Sequence, residues 1–218
     1  MKYEEIFKDA QNWYKCRSNY ASESLIDFAV SHSGDKILDA GCATGDYMQR
    51  LGKLGFHCAG VDTNSDYVDM AKQKGLDAQV MDAKHLEFPD KSFDTILLFE
   101  VLEHVDKPEE VLTEVRRVAR KNVLITVPNC TQFSKLENVG LTYSHMLTKD
   151  HVNFFTKSDL ESLLSQQFQQ YHVQEGEPIV LGNIGLPRPV RYPLSLLYKL
   201  HLASPDIYFR LYAEGMVV

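Results

Sequence analysis

The chain has no pair of cysteines at metal-ligand or redox spacing. Its four cysteines (Cys16, Cys42, Cys58 and Cys130) are scattered, which excludes a zinc ribbon or disulfide framework and fits reduced thiols in a cytoplasmic protein. No apolar run approaches the roughly 20 residues that cross a bilayer, so no transmembrane segment is expected. The opening "MKYEEIFKDAQNW" lacks the apolar centre of a secretory leader. Positive charge is scarce: 23 Lys and Arg face 30 Asp and Glu, for a net charge of −7 at pH 7. Phosphate contacts draw on Lys and Arg, so this balance argues against nucleic acid as a partner. The longest basic cluster, Arg116, Arg117, Arg120 and Lys121, falls in a helical pattern and reads as a solvated helix end. The dinucleotide fingerprint G-x-G-x-x-G is missing too. In "ILDAGCATGDY" Ala43 stands between Gly41 and Gly45.

What remains is an ordinary globular composition, 44% hydrophobic and 24% charged over 218 residues, enough for one domain with a proper core. Strand-like runs "KILDA" (36–40), "HCAGVD" (57–62), "DAQVMD" (77–82), "SFDTILLFE" (92–100) and "NVLITVPN" (122–129) alternate with helical patterns. The helices are expected over 44–55, 64–75, 107–121 and 156–167, with Asn64 or Ser65 capping the second and a capping box from Ser158 to Glu161 in the last. Such alternation predicts an α/β fold with a parallel sheet covered on both faces. Residues 1–33 precede the first strand in helical spacing, and their cluster of Trp13, Tyr14 and Arg17 reads as a helical lid over the site or, for Trp13, as core packing. Residues 183–204 are rich in proline, leucine and tyrosine. They read as an insertion packed on the sheet, a substrate lid, a homodimer contact or a lipid-facing surface, placed before "DIYFRLYAEG", which is expected to add an edge strand.

The strand ends carry the chemistry. Strand one ends near Asp39 and turns on Gly41 and Gly45 into a helix whose free N–H groups can meet a ligand. Strand two ends on Asp62, a carboxylate able to accept hydrogen bonds from both hydroxyls of a ribose, and strand three on Asp82. With these residues in hand, "ILDAGCATGDY", "GVDTNSDYVDMAK", "MDAKHLEFPDKSFDTILLFEVLEHV" and "VLITVPN" resemble, in order, the motifs of class I S-adenosylmethionine-dependent methyltransferases. The resemblance covers about residues 36–160. It implies a Rossmann-like, doubly wound, seven-stranded sheet, mostly parallel with an antiparallel last strand. It also implies that Asp39, Gly41, Cys42, Ala43 and Gly45 hold the methionine end of S-adenosyl-L-methionine, that Asp62 and Thr63 hold the ribose, and that Asp82 and Ala83 flank the adenine. Phe99 and the upstream Tyr14 and Arg17 complete the expected cofactor-binding set.

Acceptor residues should lie past strands four and five, where "FEVLEHV" and "HMLTKDHVNFFT" stand. Glu100, Glu103 and His104 have i, i+3, i+4 spacing, which one helical turn would gather on a common face. His145 and His151 follow strand five, and an imidazole serves near neutral pH as base or ligand. His104, His151 and Glu100 are the expected catalytic groups. The segment is similar to that of ubiquinone-pathway O-methyltransferases, which implies a small-molecule hydroxyl acceptor and no metal. It also resembles the Hen family of RNA 2′-O-methyltransferases, which would make Glu100, Glu103, His104 and His151 the ligands of a divalent metal. A third reading is a cofactor-binding protein without catalysis.

Overall fold

The run "KILDA" forms β1 (Lys36–Ala40), buried from Ile37 onward. A strand covered on both faces reads as a continuous apolar run, and β4 (Phe93–Phe99) is buried at every position. In the computed structural model, residues 21–131, 150–178 and 208–217 are described, with positions 189, 193, 196, 197 and 200. The N-terminal residues Trp13, Tyr14 and Arg17, His145, and most of 183–204 lie outside them. In chain order the elements are α1 (Glu23–His32), β1, α2 (Asp46–Lys53), β2 (His57–Asp62), α3 (Ser65–Gln73), β3 (Asp77–Val80) and β4. A short 3-10 turn (Leu102–His104), α4 (Pro108–Val118), β5 (Ala119–Pro128), α5 (Lys157–Ser165), β6 (Gln170–Pro178) and β7 (Tyr208–Met216) follow.

These strands build a seven-stranded sheet in the order β3-β2-β1-β4-β5-β7-β6. The first five pair in parallel, and β7 runs antiparallel to both neighbours. The order reverses beside β1, so the carboxyl ends of β1 and β4 flank the crevice where α/β sheets take ligands. Alternation divides the core. Ile37, Leu97, Phe99, Leu124 and Tyr212 pack with Leu25, Ile26, Phe28 and Ala29 of α1 and Leu51 of α2. Leu38, Ile96, Leu98, Val123 and Ile125 pack on the opposite face with Val111, Leu112 and Val115 of α4 and Leu160 and Leu164 of α5. Fully burying one such side chain contributes about 1.5–3 kcal/mol.

Four local expectations are corrected. "DIYFRLYAEG" is not at the edge: β7 inserts between β5 and β6, leaving β6 outermost. The capping box runs from Thr156 to Asp159, because the Thr156 hydroxyl accepts the Asp159 N–H and the Asp159 carboxylate accepts the Thr156 N–H. Helix α4 stops at Val118, so Arg120 and Lys121 belong to β5. Arg117, read as solvated, instead straps the loop after β3. It donates to the carbonyls of Leu86 and Phe88, both at 2.8 Å, and to Asp90 at 2.6 Å, while Glu114 holds its other side.

Candidate functional site

The turn after β1 is built from left-handed backbone: φ is 95° at Gly41, 45° at Ala43 and 77° at Gly45. Glycine meets this without strain, and a side chain at Gly41 would also strike Cγ2 of Val101. That closeness sets the glycine turn directly against the segment following β4. The N–H groups of Gly41 and Cys42 both donate to Val61 O, at 2.8 and 2.9 Å, so the turn is stitched to β2. Cys42 is buried there, and burial holds its thiol far above the usual range, making it a packing group.

Two carboxylates face this turn. Asp39 is 2% exposed, and its Oδ2 has no hydrogen-bond partner among the described residues. Burial, followed by the nearby charge of Asp62, pushes its carboxyl up to about 7. Asp62 is half-buried and fixed by two backbone donors, Ala43 N at 2.9 Å and Asn64 N at 2.8 Å. Each oxygen accepts one of these bonds and retains capacity for a hydroxyl. The donor set therefore fits S-adenosylmethionine: a buried carboxylate lacking a partner suits a cationic ligand, and a presented one suits a diol. Thr63 is exposed beside Asp62. Strand β3 ends at Val80, so Asp82, expected at its end, lies two residues past it, where it accepts the Lys84 N–H at 2.9 Å, and Ala83 is buried. Phe99 ends β4 under Tyr47 of α2, ring centroids 5.4 Å apart.

Past β4 the chain turns sharply. Glu100 is left-handed at φ 56°, and only Leu102–His104 form a helical turn, so the expected common face is divided. Glu100 reaches Arg210, with Oε1 3.0 Å from Nε. Glu103 instead points inward. It is 1% exposed, its Oε2 lacks a partner among the described residues, and burial, joined by the charge of Glu100, raises its carboxyl well above the ordinary range. His104 and His151 stand edge to face, centroids 4.6 Å apart, and His104 Nδ1 lies 3.2 Å from Asp150 O. Glu103, His104 and His151 each offer a ligand atom within 4.8 Å of the others. The Glu103 carbonyl accepts the N–H groups of Val152 and Asn153, and the Asn153 amide donates to Leu102 O and Val105 O. That strap brings His151 to His104.

Sequence reasoning missed Asn153, Arg210 and Glu177. Asn153 sits in the quoted "DHVNFFT", and its amide signals backbone bridging. Arg210 sits in a strand with no local motif to mark it.

A crevice at the sheet's reversal point, a glycine turn and the carboxylates of Asp39 and Asp62 beside it are the setting in which α/β sheets take nucleotide-bearing ligands. The chain belongs to the methyltransferase-domain family, whose match spans residues 13–169, and its class is that of the S-adenosylmethionine-dependent class I enzymes. It is similar to the malonyl-[acyl-carrier protein] O-methyltransferase of Yersinia pestis, 27% identical over 154 residues, or 68% of this chain and 57% of that one. The ubiquinone biosynthesis O-methyltransferase of Hahella chejuensis is 26% identical over 134 residues, 55% of each chain. The chain thus spans little more than half the length of these curated relatives. A SAM-dependent methyltransferase from Archaeoglobus fulgidus shares the fold with TM-score 0.67 at 19% identity, covering 99% of this chain and 100% of that one. Among the described residues, no helix is long and apolar enough to cross a membrane.

Proposed function

We propose that this chain catalyses methyl transfer from S-adenosylmethionine to a hydroxyl of a small molecule. The observation that carries this reading is the adjacency of two differently built surfaces. The turn lies against Val101 at Gly41, Glu103 and His104 follow directly in the same segment, and His151 joins them from the stretch before α5. Bound there, the cofactor supplies an electrophilic methyl on a good leaving group. The protein's part is to align the acceptor, exclude water and take up the hydroxyl proton. Asp39, Gly41, Cys42, Ala43 and Gly45 form the methionine end of this site, Asp62 and Thr63 the ribose end, and Asp82, Ala83 and Phe99 the adenine side. Tyr14 and Arg17 are proposed to cover it. His104 accepts the acceptor's proton, with His151 and Glu100 lining the pocket. The names of the two O-methyltransferase relatives support oxygen as the attacking atom, and the acidic net charge supports a small molecule over RNA.

One observation favours a second reading, metal-assisted transfer. Glu103, His104 and His151 are close enough to share one divalent ion, and the unpartnered, buried Glu103 Oε2 suits a cation. Glu100 stands apart, engaged with Arg210. The test uses tritiated S-adenosylmethionine with a panel of phenols, catechols, primary amines and carboxylic acids, with and without chelator. Label on a hydroxyl acceptor, indifferent to chelator, is expected. Transfer only to amines would overturn the oxygen assignment, and chelator-sensitive activity with stoichiometric bound metal would favour the second reading.

A further inference from the structure

We infer that Arg210 is the positioning residue of the methyl-acceptor wall, holding Glu100 and the left-handed turn that carries it at the carboxyl end of β4. This rests on the proposal that the acceptor meets the cofactor beside that strand end. Arg210 comes from β7, in register with Pro128 of β5 and Gly176 of β6, and is 7% exposed. Its Nε lies 3.0 Å from Glu100 Oε1 and its Nη2 3.5 Å from Oε2, while Nη1 donates to Glu177. One guanidinium therefore joins the ends of β4, β6 and β7.

Both carboxylates it holds sit on strained backbone. Glu100 and Glu177 each have φ 56°, a conformation non-glycine residues keep only when surrounding contacts enforce it. Glu177 is further held by Tyr212 Oη at 2.8 Å and by the Ser24 hydroxyl, which brings α1 into the same network. On the opposite side, the Glu100 N–H donates to Thr126 O at 3.0 Å. The network also lies between the two functional surfaces. The Tyr47 hydroxyl, raised chiefly by burial, is close enough to feel Arg210, Glu100 and Asp39, and Glu103 feels Glu100 and Arg210. A rigid fork matched to two carboxylates is arginine's particular geometry, and a lysine ammonium supplies only a point charge. Without it, Glu100 and Glu177 lose their shared cation, and the turn carrying Glu103 and His104 keeps only its Thr126 and Asn153 anchors.

The test compares wild type with Arg210→Met, Arg210→Lys, Glu100→Gln and Arg210→Met/Glu100→Gln. Three readouts are taken: hydrogen exchange, calorimetric affinity for S-adenosylhomocysteine, and methyl transfer to whichever panel acceptor the wild type labels. In Arg210→Met, exchange over residues 98–105 should speed about tenfold or more, while the β1–β2 segments and cofactor affinity stay within about threefold. The kcat should fall on the order of 10²-fold, more than KM changes, because displacement by an ångström is that costly to alignment. Arg210→Lys should show the same local pattern at smaller size, which decides the matter should the methionine variant not fold. On the Glu100→Gln background, Arg210→Met should cost less than about threefold more. Faster exchange spread evenly over the sheet, with additive losses, would overturn the inference and leave Arg210 purely structural. Wild type that labels no panel member would sink the small-molecule reading alone, since the exchange pattern still judges Arg210.

Discussion

The cofactor half and the acceptor half of this site are assembled in different ways. Around β1 and β2 the decisive contacts span short stretches of chain: Ala43 N to Asp62, Asn64 N to Asp62, and Gly41 N to Val61 O. Around β4 and β5 they are long-range. Glu100 meets Arg210 across 110 residues, Asn153 meets Leu102 across 51, and Glu177 meets Ser24 across 153. On the proposed function, the cofactor side therefore rests on contacts made within some twenty residues, and the acceptor side on contacts between distant parts of the chain.

The sharpest way to break the comparison is a variant that disables one half alone. As general base, His104→Gln should lower turnover by about 10²–10⁴ and leave cofactor affinity nearly intact, checked by steady-state kinetics beside calorimetry. Chelator-independent wild-type activity separates this from the metal reading, in which Glu103→Ala and His151→Gln would each abolish metal binding.

Asp39 gives the next effect. Its carboxyl is raised to about 7 in the folded protein from an ordinary value of 3.8. A raised carboxyl binds its proton more tightly folded than unfolded, so its contribution is complete below pH 4 and is lost as pH climbs towards 7. At about 1.36 kcal/mol per unit, the loss reaches at most about 4 kcal/mol. Denaturant melts of the cofactor-free protein should show falling stability across that window, and Asp39→Asn should flatten the fall while weakening cofactor binding. An unchanged pH profile in Asp39→Asn would remove the carboxylate from this role.

Smaller still is Asp62→Ala, expected to weaken S-adenosylhomocysteine about ten- to a hundredfold, or 1–3 kcal/mol, through lost hydroxyl partners and a loosened turn. Smallest is Thr156→Ala at the cap of α5, about 1 kcal/mol of stability by thermal melt, with cofactor affinity unmoved.

The same division explains what could be read from the chain. Asp39, Gly41, Gly45 and Asp62 were legible because the turn's φ values and the strand ends are dictated within some twenty residues. Strands β1, β4 and β5 were legible as apolar runs, and β2 and β3 by their place in the strand–helix alternation. Strand β6 was not. "QYHVQEGEP" is an outer strand with Tyr171, His172 and Gln174 exposed, so it carries no buried run. The place of β7 was missed for a related reason, since pairing order is set by which edges meet, not by the strand's own pattern. Glu100 was expected beside Glu103 on helical spacing, which fails because its left-handed backbone breaks the turn before it starts. The Thr156–Asp159 box is local, but Ser158 and Glu161 offer the same spacing and the pattern does not choose between them, whereas the strap from Arg117 joins groups 27 to 31 residues apart.

The claim that the two halves are separable is tested most directly by titrating S-adenosylhomocysteine, in one calorimetric series, into wild type, Asp62→Ala and His104→Gln. The wild type and His104→Gln should bind within about threefold of each other, and Asp62→Ala about ten- to a hundredfold more weakly. Equal affinity in wild type and Asp62→Ala, or a loss in His104→Gln as large as that expected for Asp62→Ala, would contradict the account.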